Sequence, residues 1–283
     1  LTPIGTALRA CASIISLEPE DGGATLRGVV REAEEGFTEE ERSRQHSIFS
    51  VVRAITALFH HDDEPQLGLY GSFGYDLTFQ FEAVRLKQTR DPNQRDLVLY
   101  LPDEVLIIDV HSNAAWKLTY EFSTGDGGPS TLGVPRTPQP PNAYVAAKES
   151  DIPRRRDHTA GSYADKVGLA KEEFKVGNLF ECVLSQTFFE PCPNPPSAVY
   201  RRLRLTNPSP YGFLLNLGEA EYLVGASPEM FVRVEKNRTG WRCETCPISG
   251  TIRRGANALE DAENIKCARR ELPPSHSRPR PSR

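Results

Sequence analysis

Residues 123–157 contain the run GDGGPSTLGVPRTPQPPN, rich in Gly, Pro and Ser, in which neither a two-residue nor a 3.6-residue apolar period survives. Proline fixes φ and removes a backbone donor, and clustered glycine adds chain entropy, so such a run neither extends a helix nor sits inside a sheet. It reads as a linker, residues 123–157, and each flanking half must then bury its own apolar residues. The chain can meet that demand: it has 283 residues, of which 38% are hydrophobic and 25% charged, the balance of a globular chain long enough for two ordinary domains. The domains expected are residues 1–122 and 158–266, with a separate tail at 267–283.

In the first half, Ile48, Val52, Ile55 and Phe59 recur at three- and four-residue spacing, which predicts an amphipathic helix over residues 38–60. Glu39, Glu40 and Glu41 fall in its first turn, where carboxylates suit the helix dipole. A Gly- and aromatic-rich run, GLYGSFGYDLTFQFE, follows. Then come LVLYL at 97–101 and EVLIIDV at 104–110, joined by the turn formers Pro102 and Asp103, which predicts a hairpin. WKLTYEF at 116–122 is a third strand candidate. In the second half, Tyr163, Val167, Ala170 and Phe174 mark one helix face with Gly177 as its stop, and a second helix is expected from about Pro196 to Thr206. YGFLLNL, EYLVGAS, MFVRVE and WRCETC are short and close together, which predicts antiparallel pairing. The fold class is α+β.

Several function classes fall away. The formal net charge of −4 gives no pull towards nucleic acid or anionic membranes. No run approaches the roughly 18 apolar residues of a spanning helix. The opening LTPIGTALRACASIISLEPEDGG has no basic segment followed by a long apolar one, so no secretory signal is expected. It has no initiator Met, and the chain is expected to begin inside a longer protein. The six cysteines, Cys11, Cys182, Cys192, Cys243, Cys246 and Cys267, are irregularly spaced, which fits a reducing cytoplasm rather than a disulfide framework. Cys243 and Cys246 form a CxxC that reads as half a zinc site, as a redox pair or, in the favoured reading, as two cysteines sharing a strand face. From Cys267 the tail CARRELPPSHSRPRPSR holds four prolines and five arginines and reads as disordered.

Five motifs succeed one another: GLYGSFGYDLTFQFE from Gly68, GNLFECVLSQTF from Gly177, NPSPYGFLLNLG from Asn207, EYLVGASPEMFVRV from Glu221 and ETCPISGTIRRG from Glu244. On its own terms, the Pro247-Ile248-Ser249-Gly250-Thr251 turn offers a glycine where backbone can approach a ligand, a hydroxyl beside it, and main-chain N–H groups able to bind an anion. Read alone, it is more readily a plain loop between a strand and the segment that follows. Ser227 and Glu229 in SPEMF suit a general acid, a cap or a strand start with its proline.

In order and content the series is similar to anthranilate synthase component I and its relatives, in particular the bacterial form fused to a glutamine amidotransferase. The strongest part of the likeness covers residues 157–266. The resemblance implies a component I-like antiparallel β-sheet sandwich with flanking helices, incomplete at its C-terminal end. It implies chorismate contacts at Gly250 and Thr251, with Ser249 beside them, and makes Glu181 and Thr251 the catalytic candidates. Relatives that add water to chorismate carry a lysine where this chain has Glu181, and a carboxylate is a poor substitute for that base, which leans towards ammonia as nucleophile. After Glu181 the family pattern would be V-V-P-S or V-V-P-G, whereas the chain reads Cys182-Val183-Leu184-Ser185. SPEMF is implied to lie at the rim of the site and to support it. Asn207, Pro208, Ser209, Pro210 and Tyr211 resemble part of the family's tryptophan feedback site, whose amino-terminal leucine, glutamate and serine motif has no counterpart before Gly68.

The parent reaction implied is chorismate plus glutamine-derived ammonia giving anthranilate and pyruvate, the first committed step of tryptophan biosynthesis. Aminodeoxychorismate synthesis and phenazine-type amination are the related alternatives. A non-catalytic remnant that binds an amidotransferase subunit is the alternative of another class. The partners implied are chorismate and a glutamine amidotransferase domain or subunit. The family also uses Mg²⁺ on acidic motifs, one of the form D-x-x-R-N-D, and a later histidine, tyrosine and arginine. None of these follows Lys266, so metal ligands are expected to be missing. The chain is expected to be an inactive fragment, its tail the product of a frameshift or mis-called intron.

Overall fold

A computed structural model describes residues 8, 15–20, 25–31, 38–42, 44–82, 84–87, 89–124, 127–136, 144–248 and 253–271. The chain divides into two units, Leu1–Val145 with Leu215–Glu221, and Ala146–Leu214 with Tyr222–Arg283.

The first unit opens with a hairpin that the sequence reading did not assign. β1 (Ile15–Glu20) pairs antiparallel with β2 (Thr25–Val30), with Ile15 opposite Val30 and Glu20 opposite Thr25. Pro19 within β1 and the absence of a clean apolar alternation hid it, although Asp21-Gly22-Gly23 between the strands is a hairpin sequence. The single helix expected over residues 38–60 is two helices, α1 (Glu39–Arg42) and α2 (Ile48–Phe59). Ser47 is the reason. It is extended, its hydroxyl accepts from the Phe49 N–H, and its own N–H donates to the Ser50 hydroxyl, so a new helix starts there. α2 buries Val51. Its Phe49 ring stacks on Phe73 and on Phe81, each at 5.8 Å between centroids, and Phe59 meets Phe122 edge-on at 5.3 Å.

β3 (Tyr70–Phe73) pairs antiparallel with β4 (Leu97–Tyr100). Gly71 lies so close to the Val98 backbone that a Cβ there has no room. The hairpin expected between residues 97–101 and 104–110 does not form. β4 pairs back onto β3, while β5 (Glu104–Asp109) pairs with β6 (Ala114–Thr119). The Asp109 side chain decides this. Its carboxylate accepts from the His111 and Ser112 N–H groups at 2.9 and 3.3 Å and from the Ser112 hydroxyl at 2.6 Å, and Asn113 takes a left-handed φ of 52°. That arrangement reverses the chain after β5. Beyond β6, Arg136 binds Asp103 at 2.9 Å, Glu121 at 3.0 Å and the Tyr120 carbonyl at 2.7 Å, and the Thr131 N–H donates to the Phe122 carbonyl. Part of the Gly/Pro-rich run therefore folds back on the β5–β6 ribbon. Buried Leu217 and the Arg95 guanidinium, which donates to the Leu217 carbonyl at 2.8 Å and ion-pairs with Glu221, hold residues 215–221 in this unit.

In the second unit the two expected helices are present as α3 (Ser162–Lys175) and α4 (Pro196–Thr206). α3 ends at Gly177, φ 80°, where Gly177 N–H donates to the Phe174 carbonyl and Asn178 N–H to the Glu173 carbonyl, the Schellman pattern that a left-handed glycine permits. The four strand runs are β7 (Tyr211–Gly218), β8 (Glu221–Ser227), β9 (Arg233–Asn237) and β10 (Gly240–Glu244), joined as the pairs β7–β8 and β9–β10, of which residues 215–218 of β7 and Glu221 of β8 are counted in the first unit. α5 (Ala258–Glu271) follows. Residues 267–271, read from sequence as the start of a disordered tail, are helical, because ALEDAENIKCARRE holds no proline or glycine. The architecture is α+β with small antiparallel sheets, and no described helix is long and apolar enough to cross a membrane.

Candidate functional site

Ser249, Gly250 and Thr251, the predicted substrate contacts, lie outside the described residues. What is described is the approach to them. β10 ends at Glu244, and Thr245 to Ile248 leave it without regular structure. Pro247 has no N–H to give, so Ile248 carries the first main-chain donor after it. That N–H donates to the Glu229 carboxylate at 3.2 Å.

Glu229 follows Ser227-Pro228 at the end of β8. The Ser227 hydroxyl accepts from the Glu229 N–H at 3.3 Å and donates to the Glu229 carbonyl at 2.9 Å, a side-chain turn of the kind serine forms next to proline. The Ser227 carbonyl in turn accepts from the Ser209 hydroxyl. Ser209 sits in Asn207-Pro208-Ser209-Pro210-Tyr211, the turn from α4 into β7, where Asn207 caps the helix by donating its N–H to the Leu203 carbonyl at 2.8 Å and Tyr211 begins the strand. Three motifs far apart in sequence are thus strung on hydrogen bonds: NPSPY to SPEM through Ser209, and SPEM to CPI through Glu229. The sequence reading gave SPEMF a supporting place but missed these links. The signal was present, a serine two residues before a carboxylate with proline between.

Glu181 is not drawn into this set. It lies on an exposed irregular stretch after α3, with Phe180 and Val183 also exposed, and among the described residues its carboxylate has no hydrogen-bond partner. The stretch is held beyond it: the Tyr163 hydroxyl donates to the Leu184 carbonyl at 3.2 Å, and Phe189 N–H donates to the Arg155 carbonyl at 2.9 Å. Gly225 in β8 lies against the Phe213 ring and Gly212 against the Tyr200 hydroxyl, which fixes how β7, β8 and α4 pack.

The CxxC does not lie on one strand face. Cys243 is in β10 opposite Val234 and Cys246 is beyond the strand end, and residues three apart in a strand point to opposite faces in any case. Both thiols are free and exposed, and among the described residues no group of three His, Cys, Asp or Glu side chains comes together to hold a metal. Beside Cys243, Glu244 binds Arg233 at 2.7 Å. The Arg233 hydrogen bond, against the opposing effect of burial and helped by the charges of Arg233 and Arg242, holds the Glu244 carboxyl below its ordinary value.

Comparison with known proteins agrees with the order of the motifs. Residues 15–267 match the chorismate binding enzyme family. An anthranilate synthase from Azospirillum brasilense is 45% identical over 265 residues, 94% of this chain and 35% of that protein. Anthranilate synthase component 1 from Vibrio cholerae is 31% identical over 78% of this chain and 43% of its own length, and that from Aquifex aeolicus is 31% identical over 75% and 45%. The chain therefore spans between a third and a half of the length of these relatives.

Proposed function

Because the chain belongs to the chorismate binding enzyme family, we propose that it carries part of the chorismate site of an anthranilate synthase, whose reaction joins chorismate and glutamine-derived ammonia to give anthranilate and pyruvate, the ring hydroxyl leaving as water. The observation that carries this reading is the hydrogen-bonded set Ser209, Ser227, Glu229 and Ile248, which draws three family motifs together immediately before Ser249, Gly250 and Thr251. In this reading main-chain N–H groups and the Thr251 hydroxyl receive a chorismate carboxylate. Glu181 faces the amination step as a carboxylate, which suits an amine nucleophile that needs no lysine base. Asn207 to Tyr211 form the wall of a tryptophan pocket, stiffened by Pro208 and Pro210. The remaining parts of the proposal are closure of the hairpins into an antiparallel sandwich, division into domains near the Gly/Pro-rich run, a glutamine amidotransferase partner and a cytoplasmic setting.

Magnesium, which the family resemblance implies, finds no fitting ligand set among the described residues, and no step here passes through it.

The test is direct. The purified chain is dialysed against chorismate with and without Mg²⁺, and anthranilate fluorescence is followed after ammonium is added. Saturable chorismate binding that Thr251→Ala abolishes supports the proposal. Absence of binding under both conditions overturns it. A mass-detected amino-deoxychorismate without anthranilate fluorescence moves the assignment to the related aminase reaction.

A further inference from the structure

The end of the Gly/Pro-rich run lies back on the β5–β6 ribbon without burying its large apolar side chains: Leu132 and Val134 stand 76% and 56% exposed. A segment docked by apolar burial keeps its hold in salt, whereas one docked by charge weakens as ionic strength rises. Here every grip is polar. The Thr131 N–H donates to the Phe122 carbonyl, and the Thr131 hydroxyl accepts from the Phe122 N–H and donates to the Glu121 carboxylate, each at 2.8 Å. The Arg136 guanidinium joins Asp103, before β5, to Glu121 and the Tyr120 carbonyl, after β6, a reach that suits its fork of donors. The run also carries its own turn: the Val134 N–H donates to the Thr131 carbonyl at 3.0 Å around Gly133, whose φ is 75°, so this fold needs nothing from the ribbon. Docking has a cost at its base, where the Thr124 hydroxyl is buried with no hydrogen-bond partner among the described residues and would regain water on release. A cavity of about 770 Å³ is lined by the ribbon and by this run. Its cations are already paired, Lys117 with Glu104 and Arg136 with Asp103, each at 2.9 Å, which favours a latch over a charged ligand's site. From this arrangement we propose that residues 129–136 are a strap latched by Arg136, which leaves the ribbon as one piece and opens the cavity when the latch is screened or neutralised. The proposal is independent of the chorismate reading.

Trypsin cuts after an arginine only when that side chain enters its own carboxylate pocket, so a latched Arg136 is cut in proportion to how often the strap opens. The full chain is digested briefly, and the cut after Arg136 is counted against the cut after Arg238, in the exposed turn between β9 and β10. Taking the ratio removes the effect of salt on the protease itself. Amide exchange at Thr131 is followed on the same protein. In the parent, Arg136 is cut at least about tenfold more slowly than Arg238, and about 0.5 M sodium chloride narrows that gap. Asp103→Asn with Glu121→Gln removes two ion pairs and raises the Arg136 cut about tenfold. Thr131 exchange rises by the same factor, because the strap leaves as one piece. An Arg136 cut as readily as Arg238 in the parent overturns the proposal. So does a double variant in which the Arg136 cut quickens while Thr131 exchange stays slow, since Arg136 would then be a surface ion pair and no latch. If the double variant loosens the ribbon itself, seen as faster exchange along β6, Arg136→Lys takes its place. It keeps the charge and the cleavage site but not the fork, and Thr131 exchange unchanged by it overturns the proposal too.

Discussion

The two units hold themselves together by different means. In the first, Val51, Leu77, Tyr120 and Leu217 are buried, and aromatic rings meet one another, Phe49 with Phe73 and Phe81 and Phe59 with Phe122. In the second, no described side chain is buried, and Phe180, Phe231 and Leu205 stand 100%, 91% and 81% exposed. What orders the second unit is hydrogen bonding: the Schellman end of α3, the Asn207 cap and the links through Ser209, Ser227 and Glu229. Burying a large apolar side chain contributes about 1.5–3 kcal/mol, while a typical hydrogen bond adds a net of roughly 0.5–1.5 kcal/mol. The family motifs of the second half therefore sit among hydrogen bonds, with no buried apolar side chain among the described residues of that unit.

The two tryptophans fall one in each unit, Trp116 on β6 and Trp241 on β10, so the contrast can be measured. The largest effect is expected from Leu217→Ala, which removes a buried side chain and costs about 2–4 kcal/mol, read from urea unfolding followed by Trp116 fluorescence in a Trp241→Phe background. Phe231→Ala, followed by Trp241 in a Trp116→Phe background, should stay within about 0.5 kcal/mol. A comparable loss for Phe231→Ala would show that the second unit has an apolar core, and the contrast would break.

A sharper test within the second unit is Gly177→Ala. The φ of 80° at Gly177 is open to glycine and strained for alanine by about 1–2 kcal/mol. The loss should appear as faster amide exchange at the last turn of α3, around Lys175, Val176 and Gly177. If backbone geometry outweighs side-chain burial in this unit, Gly177→Ala is the more damaging change and Phe231→Ala the lesser.

The same difference explains what the sequence made legible. α3 and α4 were readable because proline, glycine and apolar spacing all act within one element. The strand runs of the second half were readable because each is short and bounded by turn residues. The interruption between α1 and α2 was not, since the apolar spacing runs on through it and only the Ser47 and Ser50 side chains cut it. The partner of β4 was misjudged because Pro102-Asp103 looks like a hairpin turn, while the reversal is made by Asp109 with Ser112. The site shows the same limits: motif order was visible residue by residue, but Ser209 reaching Ser227 depends on how β8 returns along β7, and Glu229 reaching Ile248 on how β10 returns along β9.

The smallest expected effect concerns that Asp109 turn in the first unit. Hydrogen bonds from the Ser112 hydroxyl, then from the His111 and Ser112 N–H groups, hold the Asp109 carboxyl below its ordinary value of 3.8. A carboxyl with a lowered folded-state pKa stabilises the fold fully above its unfolded pKa, and loses that contribution as pH falls through the folded value. The contribution should therefore be complete near neutrality and fade below about pH 3.8. Asp109→Asn keeps an oxygen for the two main-chain donors but no charge. Its urea midpoint, read by Trp116, should lie slightly below that of the parent at pH 7 and meet it as the acid limb is reached. A parent and variant separated by the same margin at pH 7 and at pH 3 would show that the charge of Asp109 plays no part in the turn. The reversal between β5 and β6 would then rest on main-chain geometry, as the end of α3 does in the second unit.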